Sequence, residues 1–302
     1  MAPESTTTPI AGGHVTVTRR SAVGVIELSR PEKLNALSRA AFETIRAAID
    51  EFEQPDSGVR SVLITAQGRH FSTGGDLAEA KVMMRDPTLL DDFLLLVHET
   101  LQRLENSPLP VIASCRGLAL AGGLELALCC DVVFAASDAR FGDQHVQYGL
   151  VPAWGGTQRI PRLIGLSRAL DLMYSGRWID AETALRWGIV NYVVDPERLD
   201  EEATKYCSVL ASRSRPGLAA MKRLGRGALH NTLNLGLHLE RETVVEAMAG
   251  GDPAEGIAAF EARRHPHFKD CGPRPNGRIG QGWCDDTARF PNPPDSTARA
   301  SG

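Results

Sequence analysis

The chain has 302 residues, of which 43% are apolar, with 33 Lys and Arg against 37 Asp and Glu. The net charge of −4 leaves no basic footprint for nucleic acid, and the apolar share suffices for one large domain or a core with a smaller companion. The six cysteines, Cys115, Cys129, Cys130, Cys207, Cys271 and Cys284, lack metal-ligand spacing and read as buried thiols of a reducing compartment, so neither a disulfide framework nor a metal site is expected.

Residues 1–13 are rich in Thr, Pro and Gly and read as a disordered tail with no targeting signal, so a cytoplasmic location is expected. His14–Arg19 and Val23–Ser29 read as strands around a polar turn, the start of a β-meander. Ser38 is a good N-cap for a helix to about Glu53, with Phe42, Ile45 and Ile49 on one face. Val59–Thr65 reads as a buried strand running into the glycine-rich loop Gly68–Asp76. A helix over about Thr88–Glu105 follows, then a Pro110–Cys115 strand, a helix opening at Gly122 and an Asp131–Ala136 strand. This alternation predicts an α/β core with parallel strands and right-handed crossovers. Beyond Val194, Pro196–Ala211, Pro216–Leu229, Leu233–Ala249 and Pro253–Arg264 read as helices, several with Pro in the first turn. They predict a helical subdomain over 196–270 behind a core over 14–195. Residues 271–302, rich in Pro and Gly, read as a loosely packed tail in which Trp283 and Phe290 can dock locally.

The apolar run after Gly117 carries Gly122 and Gly123, then Glu125 within one helical turn. The run is long enough for a membrane span, but Glu125, Asp131 and the glycine pair make that costly, so no membrane association is expected. At a helix start, backbone N–H groups are free to face a ligand, and the helix dipole favours negative charge there. The same pattern also suits a core helix whose glutamate is merely hydrogen-bonded. The Gly74-Gly75 loop likewise follows a predicted strand, and ligands in open α/β sheets collect beyond the carboxyl ends of strands. Two such elements can each supply one N–H to a single carbonyl oxygen, the cradle that a thioester enolate needs.

Seven stretches then match a known pattern in the same order. They are Arg30-Pro-Glu-Lys-Leu-Asn-Ala-Leu37, Phe71-Ser-Thr-Gly-Gly-Asp-Leu77, Ala121-Gly-Gly-Leu-Glu-Leu-Ala127 with Cys130-Asp131, and Phe141-Gly142. The others are Gly149-Leu-Val-Pro152 with Gly155-Gly-Thr-Gln-Arg159, Asp180-Ala-Glu-Thr-Ala-Leu185 with Gly188-Ile-Val-Asn191, and Glu255-Gly-Ile-Ala-Ala-Phe260. On these residues the chain resembles the enoyl-CoA hydratase/isomerase (crotonase) superfamily over about residues 14–270. The resemblance implies a crotonase-like α/β spiral of strands and helices whose C-terminal helical subdomain serves trimerisation and covers the CoA site. It implies an acyl-CoA substrate, a homo-trimer or a hexamer made of two trimers, and no permanently bound cofactor, coenzyme A arriving as part of the substrate.

The resemblance also implies site residues. Gly75 and Gly122 would donate the two oxyanion N–H groups. Lys33, Leu34, Asn35, Ala36 and Leu37 would lie along CoA, with Thr73, Gly74, Asp76, Leu77 and Gly123 around the substrate and Trp154 near the acyl pocket. Glu125 matches the first of two glutamates that hydratases use. The position of the second, twenty residues later, holds His145.

Hydrating an enoyl thioester takes a base that activates water at the β-carbon and an acid that protonates the α-carbon. A carboxylate beside an imidazole favours the ionised pair, so Glu125 would be the base and an imidazolium the acid. Asp143 would join them if strand alternation turns it to the pocket, and is a solvated turn residue otherwise. The other reading of His145 is a ring that fills space and bonds a backbone carbonyl, which leaves Glu125 to act alone. The expected function is an acyl-CoA enzyme stabilising a thioester enolate, with 2-enoyl-CoA hydration first. Isomerisation, C–C hydrolysis or decarboxylation follow, because His145 replaces the second glutamate. A CoA-binding homologue without turnover is the reading from another class; RNA binding is disfavoured by the acidic balance.

Overall fold

The computed structural model describes residues 14–268. The expected tails at 1–13 and 271–302, with Cys271, Cys284, Trp283 and Phe290, lie outside the described residues. The chain opens with β1 (Val15–Arg20) and β2 (Val23–Leu28), an antiparallel hairpin in register from Val15↔Leu28 to Arg20↔Val23. No meander follows. Helix α1 (Arg39–Phe52) carries the chain across, and β3 (Ser61–Ala66) returns parallel to β2. The Ser38 hydroxyl accepts the Ala41 N–H at 3.2 Å as the N-cap, and Phe42, Ile45 and Ile49 are buried on one face, as their spacing predicts.

Helix α2 (Leu77–Met83), unforeseen in the sequence, is capped by Asp76. Then come α3 (Pro87–Asn106), β4 (Val111–Cys115), β5 (Leu118–Leu120), α4 (Gly122–Leu128), β6 (Val132–Ala136) and β7 (Arg140–Gly142). The Gly122 helix therefore follows β5 rather than the Pro110–Cys115 strand directly. The next elements are α5 (Gly156–Ile164), α6 (Leu166–Ser175), β8 (Ile179–Asp180), α7 (Ala181–Trp187) and β9 (Tyr192–Val194).

Six strands form the main sheet in the order β1-β2-β3-β4-β6-β9, all parallel beyond the first hairpin. Every residue of β3 and β4 is buried, as expected for parallel strands covered on both faces. A second sheet, β5-β7-β8, stands beside it. The result is the mixed α/β core of parallel strands and crossover helices that the alternation predicts.

The helix expected from Pro196 begins as a 3₁₀ turn, Pro196–Arg198, and continues as α8 (Leu199–Ala211). Leu199, Ala203 and Cys207 of α8 are fully buried, and the Ser61 hydroxyl donates to the Cys207 carbonyl at 3.0 Å. Helix α8 thus belongs to the core, which extends past the expected boundary at residue 195. Helices α9 (Arg215–Gly227), α10 (Leu233–Met248) and α11 (Gly251–Glu261) leave it, and Ala259 is the single buried residue on these three helices. Among the described residues, no helix is long and apolar enough to cross a membrane. Cys115, Cys129, Cys130 and Cys207 are buried free thiols.

Candidate active site

Three segments distant in sequence are laced into one floor. Phe71 N–H donates to the Arg116 carbonyl at 2.8 Å, Ser72 N–H to Leu118 at 3.0 Å, and Leu120 N–H back to Ser72 at 2.9 Å. On the other side, Leu37 N–H donates to the Gly74 carbonyl at 2.8 Å, Asp76 N–H to Leu37 at 3.0 Å, and Thr73 N–H to Leu34 at 3.2 Å. The Gly74-Gly75 loop is thereby held between the 33–37 segment and β5. Close approach demands glycine at Gly123, where a Cβ would lie 2.3 Å from the Ser72 carbonyl oxygen. The turn into α4 is strained. Ala121, a non-glycine residue, sits at φ 48°, and such a backbone costs on the order of 1–3 kcal/mol. Gly122 then opens α4, beyond the end of β5. Among the described residues, neither the Gly75 N–H nor the Gly122 N–H has a backbone acceptor.

The Trp154 ring faces both glycines. A Cβ on Gly122 would meet its Cζ3 at 2.0 Å, and one on Gly75 its Cη2 at 3.3 Å. Edge-on contacts with Phe42, at 5.0 Å between centroids, and Phe93, at 6.1 Å, hold the ring there.

Beside this floor lies the acid–base group. Glu125 stands in the first turn of α4 and is 1% exposed. Its Oε1 accepts the Trp154 N–H at 2.9 Å and the Gly156 N–H at 2.7 Å. Its Oε2 is buried without a hydrogen-bond partner and lies 3.8 Å from His145 Nε2. Burial is the largest influence on the Glu125 carboxyl and pushes its pKa up; His145 and the two N–H donors pull the other way without cancelling it. For His145, burial is again the largest influence and acts downward. Asp143, by hydrogen bond and charge, and Glu125, by charge, outweigh it, so the imidazole pKa is raised.

Asp143 does face His145, but not through strand alternation. The chain leaves β7, turns, and enters a 3₁₀ helix at His145–Tyr148. Asp143 Oδ1 accepts the His145 backbone N–H at 3.2 Å and lies 3.0 Å from its Nδ1.

The remaining expected residues divide. Lys33, Leu34 and Leu77 are exposed beside the floor, while Ala36 and Thr73 are half-buried. Asn35 and Asp76 have their side chains engaged within the protein. The Asn35 amide donates to the Gln67 and His70 carbonyls at 2.9 and 2.7 Å and accepts the Arg30 N–H at 2.9 Å. Asp76 caps α2 and pairs with Arg30 at 2.5 Å. Leu37 is part of the hydrophobic core. These three shape the loop rather than presenting a side chain to a ligand.

Sequence reasoning missed the backbone donors of Trp154 and Gly156. The signal was the Gly155-Gly156 pair: a Cβ on Gly156 would lie 3.0 Å from Glu125 Oε1. It also missed Arg159, which donates to the Trp154 carbonyl at 2.8 Å and reaches Glu105 through Nε and Nη2 at 2.8 and 2.6 Å. Among the described residues, no group of three or more His, Cys, Asp or Glu is placed to hold a metal ion.

A floor with two free N–H groups beside a buried carboxylate–imidazole pair can stabilise an oxyanion and move protons. Known proteins resemble this chain over most of its length. The family model for enoyl-CoA hydratase/isomerase matches residues 18–272. A probable enoyl-CoA hydratase of Rhizobium meliloti is 36% identical over 82% of this chain and 94% of its own length. The short-chain-enoyl-CoA hydratase of Clostridium acetobutylicum is 34% identical over 85% of this chain and 98% of its own. The crystal structure of an enoyl-CoA hydratase from Bacillus anthracis superposes with a TM-score of 0.81 at 32% identity, covering 85% of this chain and 99% of that one.

Proposed function

Because the chain belongs to the enoyl-CoA hydratase/isomerase family, we propose that it hydrates 2-enoyl-CoA to 3-hydroxyacyl-CoA with Glu125 and His145 as its acid–base pair. The observation that carries this reading is the state of Glu125. One oxygen is fixed by two backbone N–H groups, and the other is buried, unpartnered and 3.8 Å from an imidazole nitrogen.

In this reading the thioester oxygen accepts from the Gly75 and Gly122 N–H groups, which stabilise the enolate as charge moves onto it. Water, held between Glu125 Oε2 and His145 Nε2, adds its oxygen to the β-carbon and gives its proton to Glu125. The α-carbon takes a proton from the His145 imidazolium. Transfer of the Glu125 proton to His145 then restores the pair. Coenzyme A enters as part of the substrate, and no resident cofactor takes part. The 33–37 segment and the exposed rim at Leu77 flank the CoA moiety, and Trp154 borders the acyl group. The active assembly is a trimer, or a pair of trimers, formed through the C-terminal helices.

The test is direct. Purified protein is mixed with a short 2-enoyl-CoA and the absorbance of the conjugated thioester is followed. Loss of signal with formation of the 3-hydroxyacyl ester supports hydration. Tight binding without loss of signal overturns it in favour of another enolate reaction, the reading that an imidazole in place of a second carboxylate also suits.

A further inference from the structure

We propose that Asp143 is a positioning residue, which fixes through His145 Nδ1 the imidazole nitrogen that faces Glu125 and shares the charge of the ring when it is protonated. The inference rests on the reading of Glu125 and His145 as the acid–base pair and adds a third member to it.

The geometry is specific. The Asp143 side chain is 2% exposed, so its charge is out of water and calls for a partner. Its Oδ1 makes two contacts, both to His145: the backbone N–H at 3.2 Å and Nδ1 at 3.0 Å. Its Oδ2 is buried and has no hydrogen-bond partner among the described residues. A carboxylate can only accept, so Nδ1 must carry hydrogen in both protonation states of the ring. The nitrogen that gains and loses the proton is then Nε2, the atom 3.8 Å from Glu125 Oε2. Without Asp143 a neutral imidazole is free to place its single hydrogen on either nitrogen, and the Nε2–H tautomer cannot take up the proton that completes the cycle.

The charged groups facing this unit come from three elements: Asp143 from the end of β7, Glu125 from α4, and Arg159 from α5, whose guanidinium acts on Glu125. The imidazolium lies between two carboxylates. Removing the charge of Asp143 leaves Glu125 alone to support it, so the ring loses its proton at lower pH.

The alternative for Asp143 is a turn cap that merely accepts the His145 backbone N–H. Asp143→Asn separates the two, since the amide oxygen can still cap the turn but carries no charge. The experiment follows the ring nitrogens of His145 by 15N NMR in the full-length protein against pH, with the signals assigned by their loss in His145→Gln. In wild type we expect the Nδ1–H tautomer and a midpoint above 6.5. In Asp143→Asn we expect a lower midpoint and admixture of the Nε2–H form. With 2-enoyl-CoA, kcat should fall by about 10–10²-fold, the scale of removing an orienting partner, with little change in KM and the alkaline limb moved to lower pH.

A wild-type ring in the Nε2–H tautomer overturns the proposal without any variant. So does an Asp143→Asn protein whose His145 midpoint and tautomer match wild type. If the NMR result is as expected but wild type does not hydrate enoyl-CoA, the positioning role stands and the hydratase reading fails.

Discussion

The burial of Glu125 carries a cost in stability. A carboxyl whose folded pKa is raised binds its proton more tightly in the folded than in the unfolded chain. Its stabilising contribution is complete below the ordinary value of 4.5 and disappears as pH rises through the raised value. Ionised Glu125 therefore opposes folding at neutral and alkaline pH. Glu125→Gln keeps the oxygen that accepts from Trp154 and Gly156 and removes the charge. We expect its melting temperature at pH 8 to equal or exceed that of wild type, while hydration falls by about 10²–10⁴-fold, the usual worth of a general base. A variant that unfolds early and loses activity only in proportion to the unfolded fraction would make Glu125 structural. The pair also sets the pH profile. Activity should fall on the acid side as Glu125 protonates, above the normal carboxylate range, and on the alkaline side as His145 loses its proton, above 6.5, with both limbs belonging to the coupled pair. A flat profile from pH 5 to 9 contradicts this assignment. Gly122→Pro deletes one of the two proposed oxyanion donors and also drives a Cβ into the Trp154 ring, so turnover should fall by about 10²-fold or more; a folded, fully active variant removes Gly122 from the proposed machinery. In the sequence, Glu125 stood out by its place after the glycine pair, and the family resemblance pointed to His145 at the position of the second glutamate. The contact of Asp143 was not legible, because it depends on a turn that sets the Asp143 oxygen under the N–H two residues on, where alternation along a strand was assumed.

At the scale of elements, one charged network ties the active-site loop to the C-terminal helices. Arg159 of α5 pairs with Glu105 at the end of α3, and Arg226 of α9 reaches both Glu105 at 3.3 Å and Asp131 at 2.7 Å. Lys222, one turn before Arg226, pairs with Asp131 at 2.7 Å and donates to the Leu104 and Leu109 carbonyls. Burial lowers the Lys222 pKa, and Asp131 only partly restores it. Asp131→Asn leaves Lys222 and Arg226 without their nearest counter-charge. The lysine side chain is 10% exposed, so a loss of about 3 kcal/mol is expected, the low end for breaking a buried pair. Arg46→Ala, which breaks the exposed pair with Glu99, should cost less than about 1 kcal/mol. Urea denaturation of the two variants gives both numbers, and equal losses would refute the argument from burial. The elements themselves were unevenly legible. β3, β4 and β6 announce themselves as continuous apolar runs, and α1 as a capped amphipathic helix. β5, β7 and β8 have two or three residues each, too few for a period, and exist because the main chain of Phe71–Ser72 and of one another pairs with them. The meander expected after β2 failed because a hairpin says nothing about which side of the sheet the next strand joins.

At the scale of the whole molecule, the parallel core followed from strand and helix alternation, since right-handed crossovers leave few other solutions. The role of the last helices did not follow, because periodicity marks an apolar face without saying what covers it. The structure divides them by that criterion. Helix α8 buries its face on the main sheet, whereas the three helices beyond it leave Leu233, Leu237, Val245, Met248, Ile257 and Phe260 exposed, the last at 85%. A monomer seldom presents so much apolar side chain on neighbouring helices, and each such group gains about 25 cal/mol per Å² when removed from water. The proposed trimer supplies the cover, because a closed ring of three copies buries a face on every subunit. Light scattering after gel filtration should give three or six times the 32.6 kDa chain mass at micromolar concentration. Val245→Glu combined with Phe260→Ser should shift that mass towards the single chain and leave far-ultraviolet circular dichroism unchanged, because neither side chain contributes to the core. A wild-type protein that runs as a monomer at that concentration would rule out the trimer. A double variant that keeps the full assembly mass would place the interface elsewhere, away from α10 and α11.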